Sequence, residues 1–338
     1  MILAAIRISV IICAFTDERW HALVAAVESV QQQALQPGEI IVVIDHNTHL
    51  LERVRAYLPG IIAIKNSGSR GLSGARNSGI AIAQGALVAF LDDDAVAEPD
   101  WLILLSRCCM DPRVLGTGGA VEPLWLGTRP AWFPEEFYWV IGCTYRGLPE
   151  RQALVRNLYG GCTCIRKEVF EVVGGFRNGI GRVGTIPKGC EETELCIRAK
   201  QHWPQKVFVY EPRARIHHRI STDRASWCYF RSRCYAEGLS KAMVARYVGA
   251  RDGLSSERTY TLRTLPRGII RGLIDALLHQ DPAGLARGAA IVMGFLVTTA
   301  GYLVGSSLLQ MEKLKHFVFR KRALPQSSEV PKSIEVDP

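Results

Sequence analysis

The chain opens on an apolar run, Ile8 to Ala14, and behind it Trp20, Leu23, Val24, Val27 and Val30 recur on one face of a helical repeat. Pro37-Gly38 turns the chain into Ile40 to Ile44, apolar on both faces, as a parallel strand covered by helices on each side requires. A short helix from Leu50 to Leu58 stops at Pro59-Gly60, and Ile61 to Lys65 forms a third strand. Ser73 to Gln84 reads as a third helix, Gly85 as a turn, and Ala86 to Leu91 as a fourth strand. This βαβαβαβ order predicts an α/β fold whose open, mostly parallel sheet takes its ligand outside the carboxyl ends of the strands.

Beyond Trp101 the pattern loosens. Leu102 to Met110 is expected to be helical, Val114 to Val121 extended, and the aromatic stretch Trp125 to Trp139 a folded loop. Glu168 to Val173 and Glu191 to His202 read as helices and Lys206 to Tyr210 as a strand. The tail differs in kind. Leu262 to Leu278 mixes apolar positions with Arg263, Arg267 and Arg271, which stack four apart on one side of a helix. Ala289 to Leu308 then runs 20 positions without a charge, long enough to cross a bilayer. Lys313, Lys315, Arg320, Lys321 and Arg322 follow, and the residues after Pro325 read as disordered. The expected division is an α/β half over 1–122, a less regular second half over 123–222, a helical extension over 223–325 and a tail over 326–338.

Composition supports a globular chain: of 338 residues, 48% are apolar and 22% charged. The net charge of +9 is concentrated late, with eleven Lys and Arg against six Asp and Glu from Arg258 onward. Ten cysteines do not form a disulfide or zinc pattern, since Cys162 and Cys164 lack a second pair at a fitting distance. No secretion signal is read in the opening residues, so a reducing, cytoplasmic setting is the default expectation.

Candidate chemistry sits in three places. Asp92, Asp93 and Asp94 follow the fourth strand directly, where three adjacent carboxylates repel one another unless a hard divalent cation relieves them. Alternation along an extended segment lets Asp92 and Asp94 face one ligand while Asp93 faces elsewhere. The bland reading is a helix N-cap cluster ahead of Trp101, although capping takes one Asp and not three. Gly68 to Gly79 is a small-residue loop entering the third helix, and Arg76 in it can neutralise phosphate or hold a neighbouring carboxylate. It is neither a P-loop nor a dinucleotide fingerprint. Asp45 ends the second strand at the same sheet edge as Asp92. Lastly, Glu191 and Glu192 start a helix, where a carboxylate either accepts a proton from an incoming hydroxyl or is simply solvated.

Together these pieces resemble a family 2 glycosyltransferase with the GT-A fold. The matching residues are Ser9 to Phe15, Asp45, Ala75 to Gly79, Asp92 to Asp94, Gly161 to Lys167, Gly174-Gly175-Phe176 and Glu191-Glu192, so the likeness runs over roughly residues 8 to 218. It implies an inverting transfer from a nucleotide-diphosphate sugar, UDP- or GDP-linked, to a hydroxyl-bearing glycan, lipid-linked or small-molecule acceptor, with Mn²⁺ or Mg²⁺ as cofactor. On this chain Ala14, Phe15, Asp45, Arg76, Asn77, Asp92 and Asp93 would hold the donor. Asp94 would hold the metal, with Asp92 and either His217 or His218 beside it. Glu192 is the implied base and Glu191 its substitute, the family more often having Glu-Asp at this step. Trp125, Trp132, Trp139, Gly161 and Cys162 are placed on the acceptor side, although core packing explains the tryptophans equally well.

The arginine helix, the uncharged stretch and the basic tail point to an anionic membrane surface and a cytoplasmic-face or cytoplasmic location. Basic residues flank the stretch on both sides, which disfavours a simple single span and leaves a shallow hairpin, a peripheral helix pair or a helical cap on the enzyme. A nucleotidyltransferase would carry a glycine-rich basic loop after the first strand, where this chain has Phe15-Thr16-Asp17-Glu18-Arg19. The net charge also prompts a membrane-associated protein that binds nucleotide or nucleic acid without catalysis. Against nucleic acid as a partner, the triple aspartate would repel its backbone.

Overall fold

In the computed structural model, residues 6–184 and 187–322 are described, the side chains only as far as Met311 and not at Ser255 and Ser256. The first hundred residues form as their periodicity predicts: β1 (Ile8–Ala14), α1 (Trp20–Gln31), β2 (Glu39–Ile44), α2 (Thr48–Tyr57), β3 (Ile62–Lys65), α3 (Leu72–Ile82) and β4 (Leu87–Asp92). β5 (Ala95–Ala97), α4 (Trp101–Cys108), β6 (Val114–Trp125), β7 (Ala153–Val155), β8 (Cys162–Arg166), α5 (Lys167–Val173), α6 (Glu191–His202) and β9 (Val207–Ile220) complete the catalytic body. The sheet runs β3-β2-β1-β4-β8-β6-β9-β5, with β7 on β9. β1 pairs in parallel with β2 and β4, while β8 inserts antiparallel between β4 and β6. Ile12, Ile41, Val42, Val43 and Ala89 are fully buried, as a sheet covered on both faces demands.

Three features depart from the sequence reading. β9 is a 14-residue strand rather than a short one ending at Tyr210, because β6 holds it in register from Val114↔Val207 to Trp125↔Ile220. His217 and His218 therefore lie inside a strand and not after one. The Trp125 to Trp139 stretch ends in a 3₁₀ segment, Glu135–Ile141, whose aromatics join the core.

The extension is helical: α7 (Trp227–Val248), the short α8 (Ala250–Gly253) and α9 (Ser255–Thr259), then α10 (Leu265–Leu278) and α11 (Ala283–Arg322). Among the described residues one segment, Ala283–Met311, is long and apolar enough to cross a bilayer. It does not stand free of the enzyme. A side chain at Gly238 of α7 would run into the Thr298 carbonyl, one at Gly301 into the Tyr235 carbonyl, and one at Gly294 into the Phe137 ring. Arg287 Nη1 donates to the Ala131 carbonyl at 3.2 Å and Arg246 Nη1 to that of Leu309 at 3.5 Å. The helix thus packs against α7 and α10 over its described length and meets the catalytic body at Ala131 and Phe137, the capped arrangement among the alternatives above. Its outer face, with Leu285, Val292, Leu296 and Leu303, is exposed, as are Ile270, Leu273, Ile274 and Leu277 of α10. Arg263, Arg267 and Arg271 of the arginine stripe are all exposed, and Arg271 also pairs with the buried Glu136, Nη1 to Oε1 2.7 Å. Residues after Pro325 lie outside the described part.

Candidate active site

The parallel register brings the carboxyl ends of three strands together: Cys13 stands opposite both Val43 and Asp92, and the Asp45 amide donates to the Ala14 carbonyl at 2.8 Å. A cavity of about 740 Å³ opens there, lined by Ala14, Phe15, Asp45, Arg76, the three aspartates, Glu191, Glu192 and His218. The Asp45 carboxylate is fixed, not free. It accepts from Asn66 Nδ2 at 2.6 Å and from the Gly71 amide at 2.9 Å, and its other contact is His46 Nδ1 at 2.8 Å. Gly71 sits at φ 118°, a left-handed conformation that only glycine adopts easily, so this amide can reach the carboxylate.

The Asp93-Asp94 turn joins β4 to β5, and the pairing Ala95↔His218 sets the histidine beside Asp94. His218 Nε2 lies 3.0 Å from Asp94 Oδ1, while Arg19 Nη1 and Arg224 Nη2 approach Oδ2 at 2.7 and 3.2 Å. Burial alone would raise the Asp94 pKa, yet His218, Arg224 and Arg19 hold it well below the ordinary value. Among the described residues Asp93 pairs only with Arg19, at 2.9 Å, and its Oδ2 is buried with no hydrogen-bond partner there. Burial, then the Asp94 and Asp92 charges, push its carboxyl up to about 7. One ligand atom each from Asp92, Asp94 and His218 falls within 4.8 Å of the others. Two carboxylate oxygens and an imidazole nitrogen suit Mn²⁺ or Mg²⁺ with open positions left for phosphate and water. Strand alternation turns His217 away, to Glu98 at 3.1 Å.

Arg76 is buried behind this group. Its Nη1 donates to Glu191 Oε1 at 2.8 Å, and Nη2 stands 3.6 Å from Asp92 Oδ1. Glu191 is thereby committed to an ion pair. Glu192 lines the cavity, partly exposed, and burial followed by the Glu191 charge pushes its carboxyl up to about 8. Helix α6 is entered through Cys190 at φ 72°, whose Sγ donates to Glu237 Oε1 of α7 at 3.2 Å. Glu194 is bound by Arg177 and Arg198 and faces away from the cavity.

Of the residues assigned to the acceptor side, Trp139 and Gly161 reach the cavity. Trp139 Nε1 donates to Tyr260 Oη at 2.9 Å, and a side chain at Gly161 would collide with the Asp92 carboxylate. Trp132 instead packs among Phe133, Trp227 and Phe230, and Trp125 against Phe133 and Tyr138, outside the cavity lining. Cys162 is buried and accepts from Trp101 Nε1, and Asn77 clamps the backbone of Phe176 on both sides. Arg19, Arg182, Arg224, Tyr260 and the α11 residues Phe295, Thr299 and Tyr302 line the cavity without having been marked by the sequence. Arg19 was in view only as part of the loop after β1, and nothing local announces that the loop turns back onto Asp94.

This geometry has known counterparts. Residues 9–174 match the family described as glycosyl transferase family 2. A glucosyl-dolichyl phosphate glucuronosyltransferase of Haloferax volcanii is 33% identical over 311 residues, covering 88% of this chain and 96% of that protein. The succinoglycan biosynthesis protein ExoM of Rhizobium meliloti is 23% identical over 256 residues, 67% of this chain and 78% of its own length. Among solved structures, a mannosyltransferase from Pyrobaculum calidifontis in complex with GDP-Man and Mn²⁺ superposes with a TM-score of 0.56 at 16% identity, over 90% of this chain and 86% of that one. GalNAc-T7 with UDP, GalNAc and Mn²⁺ gives 0.50 at 19% identity, over 68% and 47%. The sheet and its carboxylate edge define a nucleotide-sugar-dependent enzyme of the GT-A fold. The chain belongs to glycosyltransferase family 2, whose members invert the anomeric centre.

Proposed function

We propose that this enzyme moves a sugar from a nucleotide-diphosphate donor to a hydroxyl of a lipid-linked glycan at an anionic membrane surface. The observation that carries the reading is a single cavity lined at once by the Asp92, Asp94 and His218 group, by Glu192, and by Phe295, Thr299 and Tyr302 of the apolar helix α11. Ala14, Phe15 and Asp45 take the base and ribose, and Arg76 steadies Asp92 and Glu191 behind the donor. Asp92, Asp94 and His218 would hold the divalent ion, which would supply Lewis-acid stabilisation of charge on the leaving diphosphate. Glu192, free of any ion pair among the described residues, accepts the acceptor's proton as its oxygen bonds to the anomeric carbon and the bond to the diphosphate oxygen breaks. Trp139 offers its indole face to the acceptor sugar. The exposed apolar faces of α10 and α11, with Arg263 and Arg267 at one end, suit a helix pair lying in the headgroup region of the membrane.

The name of the Haloferax relative makes glucuronosyl transfer to glucosyl-dolichyl phosphate the first reaction to test, with UDP-glucuronate as the first donor tried. Purified enzyme with Mn²⁺ is expected to convert a lipid-linked glucoside with one donor from a UDP- and GDP-sugar panel. Turnover confined to water-soluble glycosides, with lipid-linked ones inert, would overturn the proposed acceptor class.

A further inference from the structure

The half of the cavity near Glu192 carries more positive charge than its carboxylates neutralise. Glu237 is shared by Arg233 at 2.7 Å and Lys241 at 3.3 Å, and Glu257 by Arg156 at 2.9 Å and Lys241 at 2.6 Å. Arg182 and Lys188 also line the cavity, and neither meets a carboxylate among the described residues. The one side-chain bond of Arg182 among them is Nη2 donating to Tyr229 Oη at 3.1 Å. Arg182, Arg224 and Arg233 together lower the Tyr229 pKa against the burial that would raise it, which reports a positive local field. On the proposed reading the donor diphosphate would meet the divalent ion at Asp92, Asp94 and His218, at the strand ends and away from Arg182 and Lys188. Uncompensated cations facing an enclosed site call for a second anion.

The position of Lys188 says which substrate brings it. Lys188 lies four residues before Glu192, the group that meets the acceptor hydroxyl, and Arg233 stacks over Trp139 at 5.7 Å. Beyond them the wall is Phe295, Thr299 and Tyr302 of α11, which adjoin the exposed apolar stripe of Val292, Leu296 and Leu303 on the same helix. An acceptor that carries an anion next to a long hydrocarbon chain satisfies both features.

Building on the lipid-linked acceptor reading, we propose that Arg182 and Lys188 bind the phosphodiester joining the acceptor sugar to its lipid, so that the sugar hydroxyl faces Glu192 and the chain leaves along α11. The phosphodiester is a handle only and stays intact. The bond that forms joins the acceptor oxygen to the anomeric carbon, the nucleoside diphosphate leaves with the electron pair, and the proton passes to Glu192.

The test compares glucosyl-phosphoryl-dolichol with an alkyl glucoside of similar solubility in detergent, using wild type, Arg182→Gln with Lys188→Gln, and Lys188→Arg. The kcat/KM preference of the wild type for the phosphorylated acceptor should fall about 10-fold or more in the double variant, mostly through acceptor KM, with Lys188→Arg keeping most of it. An unchanged preference overturns the assignment. So does a loss seen instead as weaker discrimination between UDP-glucuronate and UDP-glucose, which would give these cations to a carboxylate on the donor sugar. Wild-type enzyme that glycosylates the alkyl glucoside and ignores the lipid phosphate sinks the acceptor reading itself, and Mn²⁺-dependent UDP binding by the double variant separates either result from misfolding.

Discussion

Replacing Glu192 by Gln separates catalysis from stability. In the folded enzyme burial and Glu191 push this carboxyl from 4.5 to about 8, so the folded state holds its proton more tightly than the unfolded chain does. The stabilising contribution of the protonated form is complete below pH 4.5 and is lost as pH rises through 8. At pH 7.5 the wild type thus forgoes about 4 kcal/mol relative to a permanently neutral side chain, which we discount to roughly 2 because the group is partly exposed and water relaxes the penalty. Urea unfolding of wild type and Glu192→Gln from pH 5 to 8.5 should show the variant gaining stability with pH, the difference shrinking below about 1 kcal/mol at pH 5. Transfer should be lost in the same variant with donor affinity kept. In the wild type kcat/KM should climb toward pH 8, since only the ionised carboxylate accepts a proton. A variant that is equally destabilised at every pH, or that still turns over, refutes this account of Glu192.

Asp94→Asn is expected to lower kcat about 100-fold or more and to abolish Mn²⁺-dependent nucleotide binding, with circular dichroism unchanged. Glu191→Gln removes the partner of the buried Arg76 and should cost about 3 kcal/mol or more in denaturant unfolding, a loss that a purely solvated helix start would not show. Leu296→Glu combined with Leu303→Glu, positions 55% and 60% exposed, should reduce co-flotation with anionic vesicles while Mn²⁺-dependent UDP binding persists. Equal flotation of that variant would count against the outer face of α11 as the lipid contact.

The first four strands were legible because each is apolar on both faces and bounded by Gly, Pro or a helical repeat. β8 was not, since Cys162 to Arg166 becomes a strand only through antiparallel pairing with β4 and β6, partners 45 to 79 residues away in the chain. The Asp92 to Asp94 cluster was visible because its oddity is local. The choice between His217 and His218 was not, because two adjacent residues in an unplaced strand differ only by which face they take, and the register with Ala95 settles the geometry. Arg19 and Arg224 reach Asp94 across 75 and 130 positions, a proximity without any signature in residue spacing. Trp125 and Trp132 show the opposite limit: an aromatic-rich segment looks alike from sequence whether its rings face a ligand or one another.

On the proposed membrane reading, the glycine contacts of α11 bear on how the enzyme would behave when extracted into detergent. Gly238 and Gly301 bring two backbones so close that neither an acyl tail nor a detergent molecule can wedge between them. Solubilisation would therefore strip lipid from one side of the helix and leave the other side seated, and the extracted protein would keep the roof of its substrate chamber.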